Sequence, residues 1–255
     1  MDDLIKQLKL LKKRGVVAVK QSLEDEGASY DDLLLMRKVT NQSSLKLDIK
    51  IGGCEAKNDI HFCKKIKVDG IIAPMVESDY ALVKFIQVVR NNTMQSLYVN
   101  FESIQAVKNL NKIMKKKDFK KLKGVVIGRS DLVGSIGLGK DMVDSKKTYN
   151  LVYPILKKIK KRKMIIKMGG SMTSKSKSFV SKLYKKKLLD IVETRNVQLK
   201  LNNEVISNFE NIMKEIFKFE ISWLKFAYKK SRKSKLRLEN DYLHRIKVLK
   251  KRTLN

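Results

Sequence analysis

The sequence predicts an α/β fold, a (β/α)8 TIM-type barrel with additional C-terminal helices. Three observations point there. Seven short apolar segments of strand length alternate with segments of helical periodicity. The chain has 255 residues, close to the roughly 250 that one such barrel uses. Polar, chemically capable residues recur at the ends of the apolar segments, and in a barrel those ends converge on one face.

Each element can be justified in order. "GVVAV" (15–19) is the first strand, and Ser29 opens the helix after it. Asp31 and Asp32 lie in that helix's first turn, where the helix dipole favours negative charge. "LKLDIKIGG" (45–53) leads to "EAKNDIHFCKKI", and "GIIAPM" (70–75) leads to a helix from about Ser78 to Asn91. "LYVNFE" (97–102) leads to "SIQAVKNLNKIM". "GVVIGR" (124–129) leads through a loop to "DSKKTYNLVYPILKKIKK". "KMIIKMGG" (163–170) leads to "SKSFVSKLYKKK", and "LLDIVETRNV" (188–197) closes the series. Seven units are one short of a full barrel. Either the eighth strand is irregular or the N-terminal helical segment plugs the barrel floor.

We divide the chain into a barrel over 1–202 and a basic helical extension over 203–255. The extension places Phe209, Ile212, Ile216, Phe219, Trp223 and Phe226 at helical spacing. That stripe must be buried on the barrel or on a partner subunit, and Trp223 reads as core. "SRKSK" interrupts the pattern, and "DYLHRIKVLKKR" resumes a shorter helix.

The net charge is +31, with 47 Lys and 10 Arg. Two sources are open: a polyanion partner, or a lysine-rich background. The even spread of lysines favours the background. The exception is the tail from Lys225, where twelve Lys/Arg face only Glu239 and Asp241. No nucleic-acid motif or regular aromatic interleaving accompanies this charge, so weak, non-specific polyanion binding is expected. The chain has no apolar run of spanning length and no signal-peptide core, and its two cysteines, Cys54 and Cys63, cannot build a disulfide framework. A cytoplasmic protein with no membrane partner is expected. Neither cysteine forms a zinc pattern with His61 or His244.

The strand ends carry the chemistry. They hold Glu24 and Glu26, then Lys50 with Gly52-Gly53, then Pro74 and Glu77, then Asn100 and Glu102. The later ends hold Arg129 and Asp131, Lys167 with Gly169-Gly170, and Glu193 and Arg195. Alternation in "LYVNFE" sets Tyr98, Asn100 and Glu102 on one face. Glu102 and Asp131 each stand almost alone among uncharged residues, and a lone carboxylate beside a buried strand needs a partner. "GGSMTSKS" (169–176) is either an anion cradle or a tight turn with a helix cap. Glu193 and Arg195 are either an ion pair at the mouth or substrate contacts.

"VNFESIQAVKNLNKI" followed by "GVVIGRSDLVGSIGLG" resembles the paired signature of the HpcH/HpaI aldolase and citrate lyase β-subunit family, within the phosphoenolpyruvate/pyruvate-binding barrels. "DGIIAPMVES" is similar to that family's strand and Pro-Met-Val-Glu-type turn. The resemblance covers about residues 15–200, while "KIGGCEAKND", "EDEGAS" and "VETRN" mark a distinct branch.

The resemblance implies Mg²⁺ or Mn²⁺ held by Glu102 and Asp131, with positions left for a pyruvate-like molecule and its enolate. It implies that Gly128 to Ser130 bring backbone close to substrate. Arg129 stands where many relatives have a smaller residue and would clamp an extra anionic group. Lys50 falls where the family places an arginine that polarises the keto oxygen; lysine supplies the charge without the fork. Schiff-base chemistry by Lys50 or Lys167 is the rival use. Lys167 and Arg195 join Gly128, Arg129 and Ser130 as expected substrate contacts. The family's histidine base is missing: "SLEDEGAS" stands there, so Glu24 or Glu26 either takes that role or forms an exposed acidic turn. The implied activity is a metal-dependent carbon–carbon lyase of a 2-oxo acid or related acyl thioester, in a homo-oligomer. The alternative is a non-catalytic barrel that binds or regulates, with the tail engaging a polyanion.

Overall fold

The structure is a computed structural model and describes residues 1–24, 27–90, 95–231 and 239–254. Eight strands close into a barrel in chain order. They are β1 (Val16–Ser22), β2 (Lys46–Lys50), β3 (Gly70–Ala73), β4 (Ser96–Phe101), β5 (Gly124–Gly128), β6 (Ile165–Gly169), β7 (Ile191–Glu193) and β8 (Val197–Lys200). β1 to β7 run parallel and most of their residues are buried, which explains their aliphatic-rich sequences.

The eighth strand resolves the missing unit. β8 is antiparallel to both β7 and β1. A parallel strand needs a long crossover, whereas the short Thr194–Asn196 turn reverses the chain directly. The Thr194 N–H donates to the Val197 carbonyl at 2.9 Å, and the Lys20 N–H donates to the Asn196 carbonyl at 2.8 Å. The "ETRN" motif is therefore a hairpin. The N-terminal helix α1 (Asp2–Lys13) is not a floor plug. It buries Leu4, Leu8 and Leu11 and packs against α2 (Tyr30–Ser43) and α10 (Phe209–Ser231).

Helices follow the strands closely. Ser29 and Asp32 form a reciprocal capping box at the start of α2. Next come α3 (Lys57–Lys65), then α4 (Asp79–Val89) and α5 (Ile104–Lys115), the last two capped by Ser78 and Ser103. Each of these serines directly follows a glutamate at a strand end, Glu77 and Glu102; Glu102 lines the mouth, while the Glu77 carboxylate accepts from Ser103 Oγ. Short α6 (Arg129–Gly134) starts at the end of β5. The outer layer continues with α7 (Lys146–Lys160), α8 (Lys177–Lys185) and α9 (Asn203–Ser207).

The C-terminal stripe is buried on the barrel's own layer. Phe209, Ile216 and Phe219 of α10 are fully buried, Trp223 is core, and all four join one hydrophobic cluster with the barrel. The last helix, α11 (Glu239–Leu254), lies on α10 and buries Ile246 and Leu249. Among the described residues no helix is long and apolar enough to cross a membrane.

Phe219→Ala should therefore destabilise the whole protein by about 3–5 kcal/mol, the usual cost of truncating a buried phenylalanine. Urea unfolding followed by circular dichroism measures it. An unchanged midpoint for the main transition would mean that α10 folds apart from the barrel.

Candidate active site

Side chains from opposite walls meet inside the barrel. Lys167 of β6 donates from Nζ to Asp48 Oδ2 of β2 at 2.7 Å and to Gln198 Oε1 of β8 at 2.9 Å. The same ammonium lies 3.7 Å from the centre of the Tyr98 ring. Burial pulls the Lys167 pKa down, but Asp48 and Glu193 more than reverse this, and the net direction is up. An ammonium held by Asp48 and Gln198 is set for charge pairing and not for Schiff-base formation. Lys167 also does not line the mouth cavity. The expectation of Lys167 as a substrate contact is thus corrected: it is a buried structural cation. Glu193 is paired too, with Lys20 Nζ at 3.3 Å and not with Arg195.

Above this layer lies the mouth, at the C-terminal ends of the strands. Glu102 follows β4 and is only 2% exposed. Its Oε1 accepts the Met75 N–H at 3.0 Å, and its Oε2 accepts Asn100 Nδ2 at 2.6 Å and Lys50 Nζ at 3.4 Å. Lys50 Nζ also lies 2.5 Å from Glu24 Oε2. Gly128 makes room for this cluster, since a Cβ there would stand 2.7 Å from Glu102 Oε2. Asp131, in the first turn of α6, is exposed and faces the same cavity. Burial raises the Glu102 pKa most; Lys50 and the Met75 N–H oppose this, while Asp131 and Glu24 add to it.

Lys50, Asn100, Glu102, Gly128 and Asp131 line a cavity of about 180 Å³, together with Lys20, Lys140, Arg195 and Arg252; Glu24 reaches it only through its pairing with Lys50. Glu26 lies outside the described residues. Neither His61 nor His244 lines the cavity. Among the described residues no three His, Cys, Asp or Glu side chains gather at one point. Two carboxylates nevertheless fit a hard divalent ion that keeps most of its shell for water and substrate. Glu102 is oriented by three donors, and the Asp131 carboxylate accepts no hydrogen bond from the described residues.

Arg129 departs from expectation. It is fully buried, and its Nε donates to the Gly169 carbonyl at 3.1 Å. Nη1 donates to Asp144 and to the Val143 carbonyl, and Nη2 to the Gly170 carbonyl and Met172 Sδ. All five donors of a guanidinium are thereby used. Arg129 ties the β5 and β6 ends together and has no donor left for a substrate anion. Gly170 completes that junction with a φ of +83°; a Cβ there would lie 2.4 Å from the Ser130 N. Ser130 Oγ is 2.9 Å from Ser171 Oγ, and both residues line the cavity. The later part of "GGSMTSKS" is a turn, closed by a Thr173–Ser176 capping box.

The hairpin carries Arg195 into the cavity wall. Its geometry rests on Glu220 of α10, which is 0% exposed. Glu220 Oε1 accepts Thr194 Oγ1 at 2.6 Å and the Asn196 N–H at 2.7 Å. Sequence reasoning missed Lys20, Lys140, Glu220 and Arg252. Lys20 had a signal, a lone cation in the apolar first strand. Arg252 had none, being one basic residue among many in the tail.

The buried pair makes a test. Lys167→Met should cost about 3–5 kcal/mol by stranding the Asp48 charge, and adding Asp48→Asn should recover much of it. Thermal unfolding of both variants checks the coupling; strictly additive losses would mean the two groups are independent.

Residues 53–170, from beyond β2 to beyond β6, match the HpcH/HpaI aldolase/citrate lyase family. The match includes Glu102 and Asp131. No curated protein matches the chain. Similar solved structures include citrate synthase SbnG, at 12% identity and a TM-score of 0.61, over 74% of this chain and 81% of that one. The HpcH/HpaI aldolase from Desulfitobacterium hafniense DCB-2 shows 10% identity and a TM-score of 0.61, over 74% and 81%. A HpcH/HpaI aldolase/citrate lyase family protein from Burkholderia cenocepacia J2315 gives 10% and 0.61, over 74% and 82%. At these identities the likeness is one of fold. Over residues 53–170, 118 of the 255 residues, the chain is similar to the HpcH/HpaI aldolase/citrate lyase family, and beyond that segment the likeness is that of the shared barrel.

Proposed function

We propose that the chain is a carbon–carbon lyase that cleaves or forms a bond next to the carbonyl of a 2-oxo acid. The observation that carries this reading is the mouth cluster. Buried Glu102 is oriented by Asn100, Lys50 and the Met75 N–H, beside the unengaged carboxylate of Asp131. Mg²⁺ or Mn²⁺ held by Glu102 and Asp131 would supply the positive charge that stabilises an enolate oxygen.

The chain's own residues supply the rest. Lys50 sits between the carboxylates of Glu24 and Glu102, a setting for an ammonium and not for the neutral amine of a Schiff base. Its charge favours an oxyanion at the mouth. Glu24, against Lys50, is the proton acceptor in place of the missing histidine. Gly128 and Ser130 present backbone with little side-chain bulk. A cavity of about 180 Å³ is small beside the roughly 300–1,000 Å³ of drug-sized pockets. It suits a small oxo acid, and an acyl thioester would keep its carrier outside. We further propose a homo-oligomer in the cytoplasm, with only weak polyanion binding by the tail.

Proton exchange tests this chemistry without knowing the second substrate. With Mg²⁺, the wild type should exchange the methyl protons of pyruvate for deuterium, followed by NMR. Glu102→Gln and Asp131→Asn should each lower Mn²⁺ affinity by tenfold or more, on the order of one lost charged ligand. Glu24→Gln should lose exchange and keep Mn²⁺ affinity. Equal Mn²⁺ affinity in wild type and Asp131→Asn would sink the metal assignment. Binding of pyruvate without exchange would identify a barrel that binds and does not catalyse.

A further inference from the structure

Two arginines from distant parts of the chain face the mouth cavity. Arg195 comes from the β7–β8 hairpin and Arg252 from the last part of α11. Of the other cations at the mouth, Lys50 is engaged with Glu24 and Glu102 and Lys20 with Glu193, while Lys140 is exposed and has no ion-pair partner among the described residues. Among the described residues no carboxylate lies within ion-pair distance of either arginine, and neither makes a hydrogen bond from its guanidinium.

Like charges held together in a half-buried place are costly unless something answers them. Burial pulls the Arg252 pKa down, and the charge of Arg195 pulls it further; Glu220 opposes both. Glu220 is the carboxylate that acts on Arg252, but burial raises its own pKa, and its Oε1 is committed to Thr194 and Asn196. Its Oε2 is buried without a hydrogen-bond donor. So the helix that orients the hairpin answers the arginines only at a distance. The forks themselves are left for a ligand, and a guanidinium fork matches a carboxylate or phosphoryl group.

We propose that Arg195 and Arg252 form an anion subsite at the mouth, by which the C-terminal helix completes the site and selects a ligand with a second anionic group. Glu220 is a positioning residue for Arg195. The inference rests on the oxo-acid reading for the Glu102–Asp131 end of the cavity and adds the other end of the substrate.

The test compares ligands that differ in one group. Calorimetry in the presence of Mn²⁺ measures 2-oxoglutarate against 2-oxopentanoate, which has the same chain length and lacks the second carboxylate. The wild type should prefer 2-oxoglutarate by about tenfold or more, as expected for a charge-assisted hydrogen bond. In Arg252→Gln, and separately in Arg195→Gln, the preference should fall towards one. Arg252→Lys, which keeps the charge and loses the fork, should retain part of it. Inorganic phosphate as competitor distinguishes the anion types: displacement of 2-oxoglutarate but not of 2-oxopentanoate assigns the subsite to phosphoryl groups as well. Equal affinity for the two acids in wild type, or a preference that survives Arg252→Gln, overturns the proposal. The lyase reading fails separately. If neither oxo acid depends on Mn²⁺, but succinate binds and is lost in Arg252→Gln, the anion subsite stands and the oxo-acid end does not.

Discussion

A closed sheet can leave no strand edge with unpaired N–H and C=O groups, and β8 is the strand that meets this constraint. Seven parallel strands would leave β7 and β1 facing a gap. The hairpin fills it from the β7 side, so the last strand must run antiparallel. Its turn is held by a buried carboxylate, Glu220, which accepts from Thr194 and Asn196. That carboxylate comes from α10, which must therefore lie against the barrel, and its buried stripe keeps it there. Closure, the hairpin and the C-terminal extension are one structural problem with one solution.

The second organising feature is the ionic interior. Many barrels fill their centre with branched apolar side chains. Here Ile72, Tyr98 and Val126 form only a small inner apolar group, and Lys167, Asp48, Gln198 and Glu193 fill much of the rest. Buried charges of this kind hold only when paired. Pairing is close in the lower layer. Towards the mouth it loosens: Glu102 shares Lys50 with Glu24, and Asp131 has no donor among the described residues. Charge is paired below and left open above.

The alternation in "LYVNFE" put Asn100 and Glu102 on the inner face, and the structure has Asn100 donating to Glu102. The serines after the strand ends cap helices: Ser29, expected to open its helix, and Ser78, where a helix was expected to start, each accept a first-turn N–H. Arg129 misled the reading because it directly follows a strand. It is also the first residue of α6, and there its side chain turns into the β5–β6 junction and away from the mouth. Lys167 misled it for a related reason: the residue is on the inner face, but one layer too deep to meet a ligand.

The sequence by itself determined seven of the eight strands, the helix starts and the ring of polar strand ends, because a period of two and a serine before a helix are local properties. Tertiary structure alone decided which charges pair and which remain open. Asp48 and Lys167 stand on opposite walls, and Arg252 meets Arg195 only after α10 and α11 have folded back over the barrel. Desolvation and pairing depend on distance in space, and among so many lysines and arginines separation along the chain does not reveal which few lie at the mouth.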